Sequence, residues 1–188
     1  APPASPPVGP LGNSGARSSA IPSGLHPGLL VPRLVFTCLS PSSASDAVAE
    51  IAQRLAAAHV VADAGDLTRR LLERESLGCT GLGRGIAIPH CKLKELDDIV
   101  LSIASCRPGV DFGAPDGVPV TLIFLILSPA RSPGLHLQAL ARISRLLKTP
   151  GVAEALTRSE TAEQIVSLLS EAGSHADGAV RPAEGREP

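Results

Sequence analysis

The chain has 188 residues, a formal net charge of −1 at pH 7 and 2% aromatic residues, with no Trp, Tyr or Met. This length suits one domain with additional segments, and its core must be built from Leu, Ile, Val and Ala. The near-zero charge gives no electrostatic basis for binding nucleic acid or an anionic membrane surface. No stretch approaches the ~18–20 uninterrupted apolar residues that a membrane-spanning helix needs, so direct membrane insertion is not expected.

Composition divides the chain into three parts. Residues 1–30 consist mainly of Pro, Gly, Ser and Ala. Such a segment cannot bury enough apolar surface to offset the roughly 1–2 kcal/mol per residue that backbone ordering costs, so it is predicted to be a disordered extension. A single folded domain is expected over residues 31–172. Residues 173–188 return to Gly, Ala, Pro and charged residues, which predicts a second disordered tail.

The first half of the domain is predicted to consist of a strand followed by two helices. The segment LVFTCL, close to Val31, is typical of a strand, because it is rich in β-branched and apolar residues. The segment PSSASDAVAEIAQRLAAA then offers Ser and Asp caps and apolar residues at helical spacing, which predicts an amphipathic helix of roughly 14 residues. DLTRRLLERES predicts a second helix, which Gly78 ends.

The second half predicts three strands and then three helices. GIAIPH is predicted to be a strand that ends at His90, and IVLSIASC, residues 99–106, is predicted to be the next strand. RPGVDFGAPDG carries turn residues throughout. VPVTLIFLIL is apolar on both faces and is therefore expected at the centre of the sheet. HLQALARISRLLK and two short segments ending near Ala172 are predicted helices. This order predicts an α/β domain whose mixed β-sheet is flanked on both faces by helices.

Four scattered cysteines show no zinc-ligand spacing and fit a reducing, cytoplasmic setting. A zinc site built from His90, Cys91 and His136 is conceivable. It is disfavoured because neighbouring side chains on a strand point to opposite faces. The sequence therefore predicts no metal site, and nothing in it calls for a cofactor.

The glycine-rich segment GLGRG, residues 81–85, invites comparison with a dinucleotide-binding loop. That fingerprint requires a preceding strand and a following helix, whereas these glycines follow a helix and run into a strand. We expect instead that they let the backbone pass close to His90 and direct N–H groups at an anion. The predicted phosphate loop consists of Thr80, Gly81, Gly83 and Gly85.

His90 is the first candidate for chemistry, since Pro89 restricts the backbone before it and gives the imidazole a fixed direction. A lone histidine is more often structural than reactive. Here His136 begins the helix that follows the central strand, and Arg74 ends the helix before the glycines. A neutral imidazole is nucleophilic near pH 7, a second can donate a hydrogen bond, and guanidinium donors match phosphate geometry. We therefore predict a phosphoryl site with His90 as acceptor, His136 as donor to phosphate and Arg74 as stabiliser.

Three segments together resemble one known family: RESLGCTGLGRGIAIPH, VDFGAPDGVPVTLIFLILSP and HLQALARISRLL. They are similar to the fructose/mannitol-type enzyme IIA domain of the bacterial phosphoenolpyruvate-dependent phosphotransferase system, a superfamily that includes nitrogen-regulatory enzyme IIA. The resemblance covers roughly residues 31–172. It implies that His90 is the phosphorylated residue, and that His136 and Arg74 match the second histidine and the arginine of the site. Cys91 departs from many relatives.

The resemblance also implies the partners. An HPr-like phosphocarrier protein is the expected donor, and a sugar-specific IIB component is the expected acceptor. The alternative is a regulatory protein of the nitrogen type, in which the phosphorylation state controls binding to a transporter, kinase or transcription regulator. The sequence does not decide between the two.

Overall fold

The computed structural model describes residues 32–177, with side chains described as far as residue 173. The predicted extension, residues 1–30, and residues 178–188 of the predicted tail lie outside the described residues. Within the described range no helix is long and apolar enough to cross a membrane.

In the part of the chain that the structure describes, five helices and six strands follow a short 3₁₀ turn at Pro32–Leu34. The helices are α1 (Ala44–Ala57), α2 (Ala64–Ser76), α3 (Pro133–Lys148), α4 (Val152–Arg158) and α5 (Ala162–Asp177). The strands are β1 (Val35–Leu39), β2 (Gly81–Gly83), β3 (Ile86–Ala87), β4 (His90–Leu93), β5 (Val100–Val110) and β6 (Val120–Pro129). The two predicted helices before the glycines are therefore confirmed, with α1 at the predicted 14 residues.

The strands form one mixed sheet in the order β1-β5-β6-β3-β2, with β4 also paired to β6. β6 is antiparallel to β5 and parallel to β3 and β4. From Leu122 to Leu127, side chains along β6 alternate between two separate cores, as the period of two in a strand requires, whereas Val120 lies in the same core as Ile123. Val120, Ile123, Leu125 and Leu127 pack with α1 and α2. Leu122, Phe124 and Ile126 pack with α3, α4 and α5. The predicted mixed sheet with helices on both faces, and the central place of this strand, are confirmed.

The segment predicted as the strand GIAIPH is organised differently. β3 and β4 keep one register along β6, with Ile86 opposite Leu122 and His90 opposite Ile126. They are therefore one strand interrupted by two residues, because Pro89 has no N–H to donate to the ladder. His90 begins β4 and does not end a strand, so the sequence prediction is wrong on this point.

Three boundaries also differ from the prediction. The glycine segment is not a free loop, since β2 forms an antiparallel hairpin with β3. β5 continues to Val110, so the start of the predicted turn region belongs to a strand that pairs with β6 despite an irregularity in register. α5 continues to Asp177, five residues into the predicted tail. Gly173 is buried within this helix, and a glycine costs a helix only about 1 kcal/mol relative to alanine.

Candidate functional site

His90 is half-buried at the first position of β4, with a hydrogen-bond partner at each ring nitrogen. Its Nδ1 lies 2.8 Å from the carbonyl oxygen of Ile88. Its Nε2 accepts a hydrogen bond of 3.1 Å from Nε of Arg74. A carbonyl can only accept and a guanidinium can only donate, so Nδ1 carries the proton and Nε2 carries the lone pair. The neighbours thus fix one tautomer of the neutral ring, in which Nε2 has the lone pair that a nucleophile needs.

Arg74 reaches this imidazole from the last turn of α2. Its Nη1 also donates a 3.1 Å hydrogen bond to the carbonyl oxygen of Gly78, just beyond the helix end. Two contacts, one on each side of the planar guanidinium, restrict its orientation beside His90. A guanidinium offers five N–H donors, so three remain beyond these two contacts within residues 32–177 to meet an anion that approaches the imidazole.

His136 lies in the first turn of α3, which follows the carboxyl end of the central strand β6. Its side chain is buried, at 7% exposure, and its ring centroid lies 5.2 Å from that of His90 with an interplanar angle of 51°. The Oγ of Ser128 lies 2.8 Å from Nδ1 of His136. The structure thus brings together the three side chains that the sequence singles out: His90, His136 and Arg74.

The surroundings favour the neutral form of both imidazoles. Burial is the main cause that lowers the pKa of His90 below its ordinary value of 6.5, and the Arg74 charge adds to it, while the Ile88 hydrogen bond opposes it. Burial also lowers the pKa of His136, with further contributions from His90, Lys92 and Arg74. Two neutral rings with the cations Arg74 and Lys92 and the carboxylate of Glu75 nearby leave a nitrogen lone pair available near pH 7.

An NMR titration of the ring C–H resonances is expected to give midpoints below 6.5 for His90 and His136 in the unphosphorylated protein. The unfolded state then binds more protons at these two histidines than the folded state does around pH 6. Their contribution to the free energy of unfolding therefore falls as the pH drops through 6.5 and is constant well above it. Replacing Arg74 with Gln removes one repelling charge and is expected to raise both midpoints. Midpoints above 6.5 in the wild-type protein contradict this description of the site.

Glu75 connects the end of α2 to the glycine hairpin. Its carboxylate accepts hydrogen bonds from the backbone N–H of Thr80 at 2.8 Å and from the Thr80 hydroxyl at 2.5 Å. The carbonyl oxygen of Thr80 in turn accepts from the N–H of Ile88 at 3.0 Å. Since Ile88 also holds Nδ1 of His90, the Glu75–Thr80 pair supports the backbone on which the imidazole rests. Sequence reasoning did not find this role for Glu75.

Two residues of the predicted phosphate loop, Thr80 and Gly81, have their donors engaged elsewhere. The Thr80 hydroxyl binds Glu75, and the N–H of Gly81 lies 3.1 Å from Sγ of Cys79. At the hairpin turn a Cβ on Gly83 would lie 2.8 Å from the carboxylate of Asp116, so glycine is required for this close approach. Gly85 has φ +73°, and its carbonyl accepts from the N–H of Thr121. These contacts give the segment a structural role, and its role in binding an anion stays a prediction.

Cys91 adjoins His90 in sequence but packs into the core on the side of α1 and α2. Burial raises the pKa of its thiol to about 12, so it remains protonated and is unsuited to metal binding or nucleophilic attack. Over residues 32–177 no group of three or more His, Cys, Asp or Glu side chains could hold a metal ion. A second residue that sequence reasoning missed is Ser128, whose only signal is a hydroxyl at the end of an apolar strand.

The chain is similar to known proteins in both sequence and fold. Residues 29–172 match the family model described as phosphoenolpyruvate-dependent sugar phosphotransferase system, EIIA 2. A nitrogen regulatory protein of Bradyrhizobium diazoefficiens is 39% identical over 150 residues, which cover 76% of this chain and 92% of that protein. Both matches cover more than two thirds of the chain.

Solved structures also match this chain over most of its length. Nitrogen regulatory protein IIA-Ntr from Neisseria meningitidis aligns with a TM-score of 0.70 and 29% identity, covering 76% of this chain and 97% of that one. Enzyme IIA mannitol from Escherichia coli, solved in complex with phosphorylated enzyme IIB mannitol, aligns with a TM-score of 0.63 and 20% identity, which shows the fold alone. It covers 76% of this chain and 97% of that one. The chain therefore belongs to the EIIA 2 family of the phosphoenolpyruvate-dependent sugar phosphotransferase system, a family of phosphoryl carriers.

Proposed function

We propose that this protein carries a phosphoryl group on Nε2 of His90. The observation that carries the proposal is the pair of opposite hydrogen bonds on this ring. Nδ1–H donates to Ile88 O, while Nε2 accepts from Arg74 Nε. A neutral imidazole held in this tautomer presents a lone pair in a fixed direction next to a cation, which is what attack on a phosphoryl phosphorus requires.

The proposed step is a direct transfer between two imidazoles. The Nε2 lone pair of His90 forms a bond to phosphorus, and the bond from phosphorus to the donor imidazole nitrogen breaks, with its electron pair remaining on the donor. His90 keeps its Nδ1 proton, so its ring becomes cationic once Nε2 is phosphorylated. The Ile88 carbonyl stabilises this charge through the hydrogen bond already in place. No electrons are exchanged with a redox partner, and no co-reactant is consumed.

The other two side chains act on the charge of the transferred group. Phosphoryl transfer passes through a loose transition state with charge on the peripheral oxygens, so positioned donors provide most of the catalysis. In the free protein Arg74 Nε donates to the Nε2 lone pair, and on attack this guanidinium must move its donors to the phosphoryl oxygens. His136 is near enough to donate from its own Nε2, since the ring centroids are 5.2 Å apart.

The proposed donor is the phosphorylated histidine of an HPr-like phosphocarrier protein, and the proposed acceptor is a IIB component. Membership of the sugar phosphotransferase family supports this direction of flow. The solved complex of enzyme IIA mannitol with phosphorylated IIB mannitol supports the acceptor, because that protein shares this fold.

A second candidate function rests on a specific observation. The nitrogen regulatory protein of Bradyrhizobium diazoefficiens is matched over 92% of its length, so this chain could share its regulatory role. In that case His90 is phosphorylated in the same way, but the phosphoryl group changes the affinity for a transporter, kinase or transcription regulator. The chemistry at His90 is common to both functions, and only the next step differs.

Incubation with labelled phosphoenolpyruvate, enzyme I and HPr tests the proposed function. We expect one acid-labile, alkali-stable phosphoryl group, which peptide mapping assigns to His90. Label that is stable in acid, or that maps to a different residue, refutes the proposal. Adding purified IIB components to the labelled protein then separates the two roles. Transfer to IIB supports the carrier, whereas retention of label with every IIB component favours the regulator.

A further inference from the structure

Ser128 lies near the end of β6 and is fully buried, at 0% exposure. Among the described residues, two atoms lie within hydrogen-bonding reach of its hydroxyl oxygen. Nδ1 of His136 lies at 2.8 Å, and the carbonyl oxygen of Cys91 lies at 3.5 Å. A hydroxyl has one proton to donate, so the choice between these two acceptors determines which nitrogen of His136 carries a proton.

The distances favour donation to His136. A length of 2.8 Å is ordinary for a hydrogen bond from a hydroxyl, whereas 3.5 Å lies beyond the usual range. If the Ser128 hydroxyl donates to Nδ1, the single N–H of the neutral ring is on Nε2. In the opposite arrangement Nδ1–H donates to Ser128, and the hydroxyl proton is left with only the long contact to Cys91.

We propose that Ser128 is a positioning residue that fixes His136 in the tautomer with Nε2–H, so that this N–H is directed at the phosphoryl group on His90. This inference rests on the proposed function, because the phosphoryl group is the acceptor of that hydrogen bond. His136 Nε2 has no hydrogen-bond partner among residues 32–177. No buried side-chain nitrogen or oxygen in the same range lacks a partner, so this nitrogen is open to solvent or ligand.

The two imidazoles are then complementary. Nε2 of His90 carries a lone pair, because Arg74 donates to it and Ile88 accepts from the other ring nitrogen. Nε2 of His136 carries a proton, because Ser128 donates to its other nitrogen. One ring supplies the nucleophile and the other supplies a donor for the oxygens of the incoming group. In the opposite tautomer, a lone pair of His136 repels the same oxygens.

The first test measures the tautomer of His136 in the unphosphorylated wild-type protein by ¹⁵N NMR. We expect the signature of a protonated Nε2 and an unprotonated Nδ1 in the neutral ring. The opposite signature overturns the proposal. This measurement requires neither a phosphoryl donor nor a folded variant, so it is independent of the proposed function. Absence of label on wild-type His90 refutes the function and leaves the tautomer result standing.

The second test compares Ser128→Ala with Ser102→Ala in the rate of phosphoryl uptake. Ser102 is a matched control because it is equally buried. Its hydroxyl donates a hydrogen bond of 2.9 Å to the Leu34 carbonyl and contacts neither imidazole through a hydrogen bond. Loss of the partner that orients a metal-binding histidine typically costs ten- to a hundred-fold, and by analogy we expect Ser128→Ala to be about tenfold slower, with an altered His136 ¹⁵N spectrum. Ser102→Ala is expected to keep the wild-type rate. Equal rates for Ser128→Ala and wild type overturn the proposal.

Discussion

The His90→Ala variant is expected to take up no phosphoryl group from phosphorylated HPr, because it lacks the lone pair that forms the new bond to phosphorus. The loss should be complete, since the second ring, His136, has Nδ1 occupied by Ser128 and serves as a donor. The measurement is transfer of label from phosphoenolpyruvate through enzyme I and HPr. Folding should persist, because His90 is half-buried and its side chain contributes one hydrogen bond to backbone, worth about 1 kcal/mol.

His59→Asn is the matched control for this experiment. His59 is exposed beyond α1 and has φ +57°, a left-handed conformation that asparagine adopts more readily than most residues. This variant also lacks one histidine but should be labelled as fast as the wild-type protein. Residual acid-labile label on His90→Ala would place the acceptor on another residue. Normal melting of both variants would show that loss of label reflects chemistry.

Periodicity and breakers in the sequence were enough to predict the layered architecture. VPVTLIFLIL is apolar on both faces and lies at the centre of the sheet, with alternate side chains in the two cores. The strand and hairpin boundaries were less predictable, because they depend on pairing between distant segments. β5 continues through Arg107–Val110 since Val110 finds a partner in Val120 of β6, which local turn propensity does not reveal.

The sequence singles out candidate site residues that have a distinctive side chain. It does not reveal the backbone carbonyl and the serine hydroxyl that hold those side chains in place. Residue type and position at element ends were enough to single out His90, His136 and Arg74. The Ile88 carbonyl, which fixes the His90 tautomer, belongs to an apolar residue without any sequence signal. Ser128 likewise acts through a contact across the space between β6 and α3. The close approach of Gly83 to Asp116 also depends on a contact between distant segments, so the sequence alone does not reveal it.

Arg74→Gln is expected to slow phosphoryl uptake by about 10²–10³-fold, the usual loss when one preorganised donor to a developing charge is removed. Arg74→Lys should recover only part of the rate. A guanidinium can donate to Gly78 O and His90 at once and still offer N–H groups to phosphoryl oxygens, whereas an ammonium is a point charge with three donors. Measured rates for the two variants therefore separate charge from geometry.

Arg70→Gln provides the control for both Arg74 variants. Arg70 lies one turn earlier on α2 and pairs with Asp66 at 2.6 Å, an ion pair at the surface that contributes little to stability. Among the residues that the structure describes, its side chain hydrogen-bonds to Asp66 and to neither imidazole, so its loss should leave phosphoryl uptake at the wild-type rate. A wild-type rate for Arg74→Lys would mean that positive charge alone is sufficient. A wild-type rate for Arg74→Gln would remove the guanidinium from the mechanism and leave His136 as the principal donor to the phosphoryl oxygens.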